Sequence, residues 1–369
     1  MLLQWSYRIQ VATEALFRPE TLAAAVRVVT CEAQRALVLE TLDAVKVRAP
    51  EVRVDEAAYV ERVRARVAEL VEIVGTPARL FEVGLRAASC PEQHLLALEG
   101  CRLAGLDRTS NVEGARALGL VPVGTMGHEH VQRYGSDEAA FRAMVERRYQ
   151  RSSFLLDTFD TLGSGIPTAL RIIGERPETK DSIRYDSGDK EAQYRFAVAE
   201  SKRLGVRPVQ ILEDGFDAAQ TRHFERLREE VGWQPEEQVY GYGGYLVAQT
   251  SGSPLTRDRV SAVYKLSQTG RRPTMKFGDE AGQGKQSVPG RPVVFRRQRG
   301  VEGPWGVIGQ EGEAAPDGYA LLTGAPALAA PPRPAEVEAV SFVHSPATQA
   351  LLDGLRAARA QPQEAAHVP

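Results

Sequence analysis

Apolar segments end in small or polar residues from about Arg79 onward, and an amphipathic helical pattern follows each of them. The cycle repeats every ~20–35 residues, which is typical of βα units. The seven predicted strands with their ends are RLFEVGLR, LDRTSNV, LVPVGTMGH, SSFLLDTFD, SIRYDSGD, PVQILEDG and QVYGYGGYLV. Seven units without an opening G-x-G-x-x-G favour a closed or nearly closed βα barrel over an open doubly wound sheet.

The helical segments between these strands carry start signals and one apolar face. Pro91 suits the first turn of one helix, and Ser136 is a good N-cap for another. In two later helices, apolar residues recur at helical spacing, so we expect those faces to cover the sheet. The predicted faces are Ala192, Phe196 and Ala199 in KEAQYRFAVAESKRLG, and Phe224, Leu227 and Val231 in DAAQTRHFERLREEVG.

The alternation of strand and helix patterns is absent at both ends of the chain, which indicates further structural parts beside the barrel. Residues 1–78 are mostly helical in pattern, most clearly in AYVERVRARVAELVEIVG, and 79–260 form the barrel with the active site. Residues 261–331 predict a β-rich part that begins with a hairpin turning at Thr269-Gly270. Residues 332–369 complete an Ala/Pro-rich linker, GAPALAAPPRPAE, and end in one helix, SPATQALLDGLRAARA.

Composition excludes several classes of protein. The 369 residues are 43% hydrophobic and 25% charged with a net charge of -2, so we expect neither a nucleic-acid nor a membrane partner. The beginning of the chain shows no signal-peptide pattern. Cys31, Cys90 and Cys101 form no metal motif and no even-numbered disulfide framework, which predicts a cytoplasmic protein.

Polar residues gather where the predicted strands end, the place where βα barrels carry their active sites. Arg184 and Asp186 alternate along one strand and share a face, as an ion pair or as part of a site. The glycines after the last strand suit an anion, and in combination with Arg86 and Arg184 on neighbouring strand ends they predict a phosphorylated substrate. The carboxylates at the strand ends would be available to hold Mg²⁺ directly or through water. The full set is Arg86, Asp107, Thr109, Ser110, Asn111, Thr125, His128, Asp157, Asp160, Arg184, Asp186, Ser187, Gly188, Asp189, Glu213, Asp214, Gly215, Gly241, Gly243 and Gly244.

The stretch VPVGTMGHEH leaves several roles open for its histidines. His128 and His130 could belong to a metal site, one of them could act as a general base, or one could itself be modified. A histidine held at the barrel mouth by hydrogen bonds and packing is the structural alternative. Residues i and i+2 diverge at a helix start, and neither His94 nor His223 completes a ligand shell, which counts against zinc.

Several motifs together resemble one family, the nicotinate phosphoribosyltransferases. The resemblance covers roughly residues 79–297 in the family's order, and it implies an irregular, incomplete TIM-like βα barrel with an accompanying α/β sandwich domain. The matching stretches are FEVGLRAA, DRTSNVEGARALGLVPVGTMGHEHVQRYGSDEAAFRAM, LLDTFDT, IRYDSGDKEAQ, ILEDGFD, GYGGYLV and VYKLSQTGRRPTMKFGDE.

The resemblance implies a reaction. Nicotinate would attack C1 of 5-phosphoribosyl-1-pyrophosphate, giving nicotinate mononucleotide and pyrophosphate in NAD salvage. Mg²⁺ would be bound mainly through the substrate rather than by a protein metal site. ATP would be a co-substrate that transiently phosphorylates the histidine of the G-T-x-x-H motif, which is His128. Family members generally assemble as dimers, so we expect a homodimer.

The resemblance also implies roles for individual residues. His128 and Asp186 would be catalytic, and Gly243 would lie in the turn that cradles the 5-phosphate. The residues expected to bind substrate are Arg86, Thr109, Ser110, Asn111, Thr125, Arg184, Ser187, Gly188, Asp214, Gly215, Gly243 and Gly244.

The chain departs from the family pattern at four places, and these keep alternative functions open. Ala87 stands where a second arginine is common, Arg108 where glycine is common, and Gly244 where threonine is common. The N-terminal T-D-x-Y motif is not found, which indicates a divergent subfamily or a late reading-frame start. The alternatives are a transferase for nicotinamide or quinolinate, a metal-dependent barrel hydrolase using His128 and His130, and a catalytically inactive ligand-binding paralogue.

Overall fold

The computed structural model describes residues 28–44, 51–248, 265–277, 287–322 and 341–360. The start of the chain, the linker GAPALAAPPRPAE and the last nine residues lie outside these ranges. In the described part, no helix combines the length and the apolar character that crossing a membrane would require.

A small parallel pair and two helices precede the barrel. Strand β1 (Val28–Val29) pairs with β2 (Arg53–Val54), and helix α1 (Glu32–Ala44) lies between them in sequence. Helix α2 (Glu56–Val74) confirms the predicted helical segment. Asp55 caps the N-terminus of α2. The buried face of α2 packs against the first barrel helix, Pro91–Leu103. Gly75 ends it with φ of +82°, a left-handed conformation that favours glycine.

Seven parallel strands form an incomplete barrel. Their spatial order is β5-β4-β3-β9-β8-β7-β6, so the last strand returns to pair with the first. Leu80 pairs with Tyr240 and Glu82 with Tyr242, which brings the chain ends of the barrel together. The strands are β3 (Leu80–Glu82), β4 (Arg108–Thr109), β5 (Val121–Pro122), β6 (Ser153–Leu155), β7 (Ser182–Tyr185), β8 (Val209–Leu212) and β9 (Gln238–Tyr242). The predicted irregular, incomplete βα barrel is confirmed, and among the described residues no strand pairs β5 with β6.

The opening has a local cause in β5. This strand has only two residues, and Pro122 has no N–H to donate to another neighbour. Val121 and Pro122 are both exposed, so little apolar burial favours a longer strand here. β5 and β6 therefore form the two edges of the described sheet.

Helices follow the strands as predicted. Pro91 begins one of them, and Ser136 caps another by accepting a hydrogen bond from the amide of Ala139. A π-helical turn at Thr161–Gly165 precedes α7. The barrel helices are α3 (Pro91–Leu103), α4 (Val112–Leu118), α5 (His128–Tyr134), α6 (Asp137–Arg147), α7 (Ile166–Gly174), α8 (Lys190–Leu204), α9 (Ala218–Val231) and α10 (Gly244–Val247).

The predicted face of α8 is wrong, and that of α9 is confirmed. Ala192, Phe196 and Ala199 are all exposed, whereas Tyr194, Ala197 and Val198 are buried instead. Tyr194 lies edge-on to Phe224 of α9, with ring centroids 5.8 Å apart, and donates a hydrogen bond to Gln238. The helix contains two apolar stripes, and the one that includes Tyr194 packs against α9. In α9, Phe224 and Leu227 are buried and Val231 is half-buried.

The C-terminal part is a mixed sheet with one helix. The predicted hairpin is confirmed as β10 (Gln268–Thr269) and β11 (Arg272–Pro273). β13 pairs antiparallel with β12 and parallel with β15, a strand that sequence reasoning missed. The remaining elements are β12 (Pro292–Arg297), β13 (Gly306–Gln310), β14 (Tyr319–Leu321), β15 (Phe342–His344) and the predicted helix α11 (Pro346–Ala360). The sandwich domain and the domain boundaries stay predictions.

Candidate functional site

A cavity of about 1170 Å³ lies along the inside of the incomplete barrel. Residues from the loops after the strands line the end of the cavity at which the carboxyl ends of the parallel strands converge. Ten of the strand-end residues predicted from sequence lie on the cavity wall: Arg86, Ser110, Thr125, Arg184, Asp186, Glu213, Asp214, Gly215, Gly243 and Gly244. The cavity therefore brings together ten of the predicted positions, which come from loops far apart in the sequence.

His128 lies in a cluster of charged groups beside this cavity. It is the first residue of α5, and its ring is 12% exposed. Nδ1 lies 3.0 Å from the Thr158 hydroxyl, and Nε2 lies 3.2 Å from Asp186 Oδ2 and 2.6 Å from Lys276 Nζ. An ammonium group has no acceptor, so Nε2 accepts from Lys276 while Nδ1–H donates to Thr158. The unprotonated nitrogen of His128 thus faces Asp186 and Lys276.

Lys276 forms the centre of that cluster. Its side chain is 4% exposed, and Nζ lies 3.4 Å from Asp186 Oδ2 and 3.5 Å from Asp157 Oδ2. Asp157 is fully buried just beyond β6, and it also accepts a hydrogen bond from the Ser187 hydroxyl. The ammonium thereby balances two carboxylates that follow the neighbouring strands β6 and β7.

Arg184 holds the other side of Asp186. Its Nη2 donates to Asp186 Oδ1 at 2.7 Å, as the shared strand face predicted. Its Nη1 donates to the Thr125 hydroxyl at 2.6 Å, and its Nε forms an ion pair with Glu213. All three guanidinium nitrogens of Arg184 therefore contact side chains of the site. These contacts position Asp186 and Thr125 on the cavity wall.

Burial and neighbouring charges set the protonation states. Burial raises the pKa of Asp186, but the positive charges of Arg184 and Lys276 lower it well below its usual range. Burial raises the pKa of Glu213, and Arg184 offsets part of that rise. Burial and the charge of Lys276 lower the pKa of Lys265. Asp186 is accordingly a carboxylate across the physiological pH range.

The two histidines of VPVGTMGHEH point to different surroundings. His130 Nε2 lies 2.9 Å from the backbone oxygen of Ala140, and its ring packs against Tyr134. The proposed metal pair of His128 and His130 is therefore wrong. His128, Asp157 and Asp186 do lie close enough to share a cation, with ligand atoms within 4.8 Å of one another. Lys276 Nζ occupies the space among them, so these residues do not fit a directly bound Mg²⁺ in this arrangement.

Four of the predicted substrate-binding residues lie behind the cavity wall. The fully buried Thr109 donates to Glu82, Asn111 caps α4, and Ser187 donates to Asp157. Gly188 adopts φ of +84° in the turn after Ser187. They order the loops that carry wall residues, and their contact with substrate stays a prediction.

Sequence reasoning missed Lys276 and Thr158. Asp157 and Glu213 follow predicted strands and were among the strand ends, whereas Lys276 lies beyond the barrel, after β11. A signal for it was present, because a lysine between Met275 and Phe277 interrupts an apolar run. Lysine is rarely buried without a partner, so such a position indicates a paired ammonium.

Comparisons with known proteins show the family to which the chain is similar. Residues 80–299 match the model of the nicotinate phosphoribosyltransferase (NAPRTase) family. A nicotinate phosphoribosyltransferase of Mycobacterium tuberculosis is 30% identical over 218 residues, which are 58% of this chain and 43% of the relative. One of Bacillus subtilis is 26% identical over 249 residues, or 64% and 47% of the two chains. The chain spans about half the length of these curated relatives.

A solved structure supports the fold. The crystal structure of nicotinate phosphoribosyltransferase from Vibrio cholerae superposes with a TM-score of 0.51 at 20% identity, covering 68% of this chain and 62% of that one. At this identity the similarity concerns the fold alone.

Proposed function

The chain belongs to the nicotinate phosphoribosyltransferase family, and from that premise we propose that it transfers the phosphoribosyl group of 5-phosphoribosyl-1-pyrophosphate to nicotinate. The ring nitrogen of nicotinate forms a bond to C1 of the ribose while the bond from C1 to pyrophosphate breaks. The products are nicotinate mononucleotide and pyrophosphate. The observation that carries the proposal is Asp186, an ionised carboxylate on the cavity wall between Arg184 and the His128–Lys276 pair.

The charges of the cavity suit the charge that develops during this reaction. Positive charge develops on the ribose as pyrophosphate leaves, and a fixed carboxylate such as Asp186 stabilises it without reorganisation. Arg86 is exposed on the cavity wall, where it would bind the anionic substrate. Gly243 and Gly244 offer backbone N–H groups to the 5-phosphate at the end of β9. Mg²⁺ would be held mainly by the pyrophosphate oxygens, whose charge it would neutralise.

We further propose that ATP phosphorylates His128 on Nε2. The lone pair of Nε2 forms a bond to the γ-phosphorus while the bond from that phosphorus to ADP breaks. The proton stays on Nδ1, where it is hydrogen-bonded to the Thr158 hydroxyl. Lys276, 2.6 Å from Nε2, would pair with an oxygen of the transferred phosphoryl group. The position of His128 at the N-terminus of α5 also favours an added negative charge.

The reaction is tested by offering the purified protein phosphoribosyl pyrophosphate, Mg²⁺ and ATP with one pyridine at a time. Products from nicotinate, nicotinamide and quinolinate are identified by mass spectrometry. Nicotinate mononucleotide from nicotinate alone is the expected result. If only nicotinamide or quinolinate gives a mononucleotide, that pyridine is the substrate and nicotinate is not. No product from any of them would contradict the activity and favour a ligand-binding paralogue. Full activity in strong chelator would contradict the role of Mg²⁺.

The phosphohistidine is tested with ATP labelled in its γ-phosphate. We expect acid-labile, alkali-stable label on the native protein and on His130→Ala, whose imidazole lies outside the cluster. His128→Ala should carry no label and should lose ATP stimulation, with residual nucleotide formation at high substrate concentration. ATP stimulation that survives His128→Ala unchanged would contradict the assignment.

A further inference from the structure

A second buried network lies at the ends of β3 and β4 and shares no residue with the His128 cluster. Glu82, the last residue of β3, and His94 in α3 are both fully buried. His94 Nε2 lies 3.0 Å from Glu82 Oε1. Neither residue lines the cavity. A buried carboxylate is costly unless hydrogen bonds satisfy it, so its partners indicate what the pair does.

Glu82 accepts hydrogen bonds from two loops that reach the cavity. Oε1 accepts from the amide of Gly84, which begins the turn Leu85–Ala87 that carries Arg86. Oε2 accepts from the Thr109 hydroxyl at 2.6 Å, at the start of the Ser110 loop. The backbone oxygen of Glu82 also accepts from the amide of Ser110 at 2.9 Å.

His94 extends the network to the end of the second loop. Its Nδ1 lies 3.0 Å from Asn111 Nδ2, while Asn111 Oδ1 accepts from the amide of Gly114 and caps α4. Because the Asn111 amide nitrogen can only donate, Nδ1 accepts and Nε2–H donates to Glu82. Every donor in this path then meets an acceptor, which gives the pair a single defined arrangement.

The turn after β9, which contains Gly243, lies next to Gly84 and the Glu82 carboxylate. A Cβ atom placed on Gly84 would lie 2.8 Å from both Glu82 Oε1 and the backbone oxygen of Gly243. The Gly84 backbone is therefore wedged between the Glu82 carboxylate and the predicted phosphate turn. A shift of Glu82 would move the Arg86 turn against that neighbour.

We propose that Glu82 and His94 are positioning residues that hold the Arg86 turn and the Ser110 loop at a fixed separation for binding an anionic phosphoribosyl substrate. The proposal rests on the proposed function for its substrate, while the coupling of the two loops is independent of it. The pair acts through Gly84, Thr109 and Asn111 and touches no substrate itself. Loss of the pair would let both loops relax and would weaken substrate binding more than the chemical step.

The test compares His94→Leu with His94→Gln. Leucine removes both polar contacts at similar volume, whereas glutamine keeps one donor and one acceptor at the spacing of the imidazole nitrogens. His223→Leu is the matched control, because His223 also pairs with a glutamate, Glu191, at 2.8 Å but lies on outer helices. Near-UV circular dichroism and thermal unfolding establish that each variant is folded.

Hydrogen exchange measures the coupling without any substrate. In His94→Leu we expect faster exchange in peptides covering 83–90 and 108–114 together, with native rates in His94→Gln and in the control. Unchanged exchange in both loops, or a change confined to one, would overturn the coupling whether or not the protein is a transferase.

Steady-state kinetics measure the effect on the substrate. We expect KM for phosphoribosyl pyrophosphate to rise ~10–100-fold in His94→Leu, with kcat within about 3-fold of native and recovery in His94→Gln. An equal loss of kcat in the leucine and glutamine variants would overturn the positioning role. If the native protein itself neither binds nor uses phosphoribosyl pyrophosphate, the proposed function fails, and the exchange result still decides the coupling.

Discussion

Lys276 shows how one side chain can decide the state of its neighbours. Its ammonium lies among His128, Asp157 and Asp186, three groups whose ligand atoms lie close enough together to share a cation. The contact of 2.6 Å to Nε2 also sets the tautomer of His128. The nucleophilic character proposed for His128 therefore depends on a lysine 148 residues further along the chain.

Replacing Lys276 with methionine should impair both stability and activity. The change leaves the fully buried Asp157 without its ammonium partner, while Asp186 keeps Arg184. Breaking such a buried pair costs about 3–5 kcal/mol in the free energy of unfolding. Loss of a preorganised donor should also lower the ATP-stimulated kcat ~10²–10³-fold. Denaturant unfolding and kinetics measure the two effects. Lys276→Arg keeps the positive charge, so its free energy of unfolding and its ATP-stimulated kcat should lie between those of the native protein and Lys276→Met. Native stability in Lys276→Met would contradict the cluster.

Asp186 should make stability depend on acid pH. Its pKa in the folded state is lowered well below the usual range, so its contribution is fully present above the ordinary carboxyl pKa of ~3.9 and is lost as pH falls through the folded-state pKa. The free energy of unfolding of the native protein should therefore decrease more steeply below about pH 5 than that of Asp186→Asn.

Urea unfolding at several pH values between 3 and 7 measures this difference. Asp353→Asn, which changes a carboxylate that is 60% exposed, is the control and should follow the native profile. Parallel profiles for the native protein and Asp186→Asn would show that Asp186 is not held ionised by its neighbours.

At the scale of elements, start signals were predictable and the faces of helices were only partly so. Pro91 and Ser136 begin their helices where the sequence indicates, because caps are local interactions. The predicted buried face of α8 was wrong because this helix carries two apolar stripes, and the sequence does not show which of them is buried. Contacts with Phe224 and Gln238, distant in sequence, decide between them.

A buried ion pair joins helix α9 to the amino end of the barrel. Arg79 pairs with Glu225 and also donates to the backbone oxygens of Gln238 and Val74 at 2.9 and 3.0 Å. Burial raises the pKa of Glu225, but Arg79 and the Tyr240 hydroxyl lower it below its ordinary value. This pair connects elements without touching the charged cluster.

Glu225→Ala should lower the free energy of unfolding by about 3–5 kcal/mol, because it leaves Arg79 buried without its charge partner. KM of the folded variant should stay native. Glu230→Ala on the same helix is the control. Glu230 is 62% exposed and pairs with Arg195, and such surface pairs contribute at most about 1 kcal/mol. Equal effects of the two variants in denaturant unfolding would contradict the role of burial.

At the scale of the whole molecule, the seven-stranded sheet of the described residues is open between β5 and β6. The cavity extends from the strand ends to Arg148, Arg151 and Ser153 near this opening. Exposed edges of a sheet are commonly covered by another chain or segment. The opening is thus a place where the predicted homodimer could complete the cavity wall.

We expect light scattering to give twice the 40.3 kDa mass of one chain. Activity per chain should fall on dilution, because a site completed by a partner depends on association. The measurement is specific activity across a dilution series, followed in parallel by sedimentation. A stable monomer with full activity would contradict the dimer.

The sequence by itself determined the seven βα units, the helix starts and the strand-end residues on the cavity wall. These follow from local periodicity, capping chemistry and the convergence of parallel strands at one edge. The tertiary structure alone decided which stripe of α8 is buried, that His130 turns away from His128, and that Lys276 and the Glu82–His94 pair support the site. Each of these depends on contacts between residues far apart in the chain, which no local pattern contains.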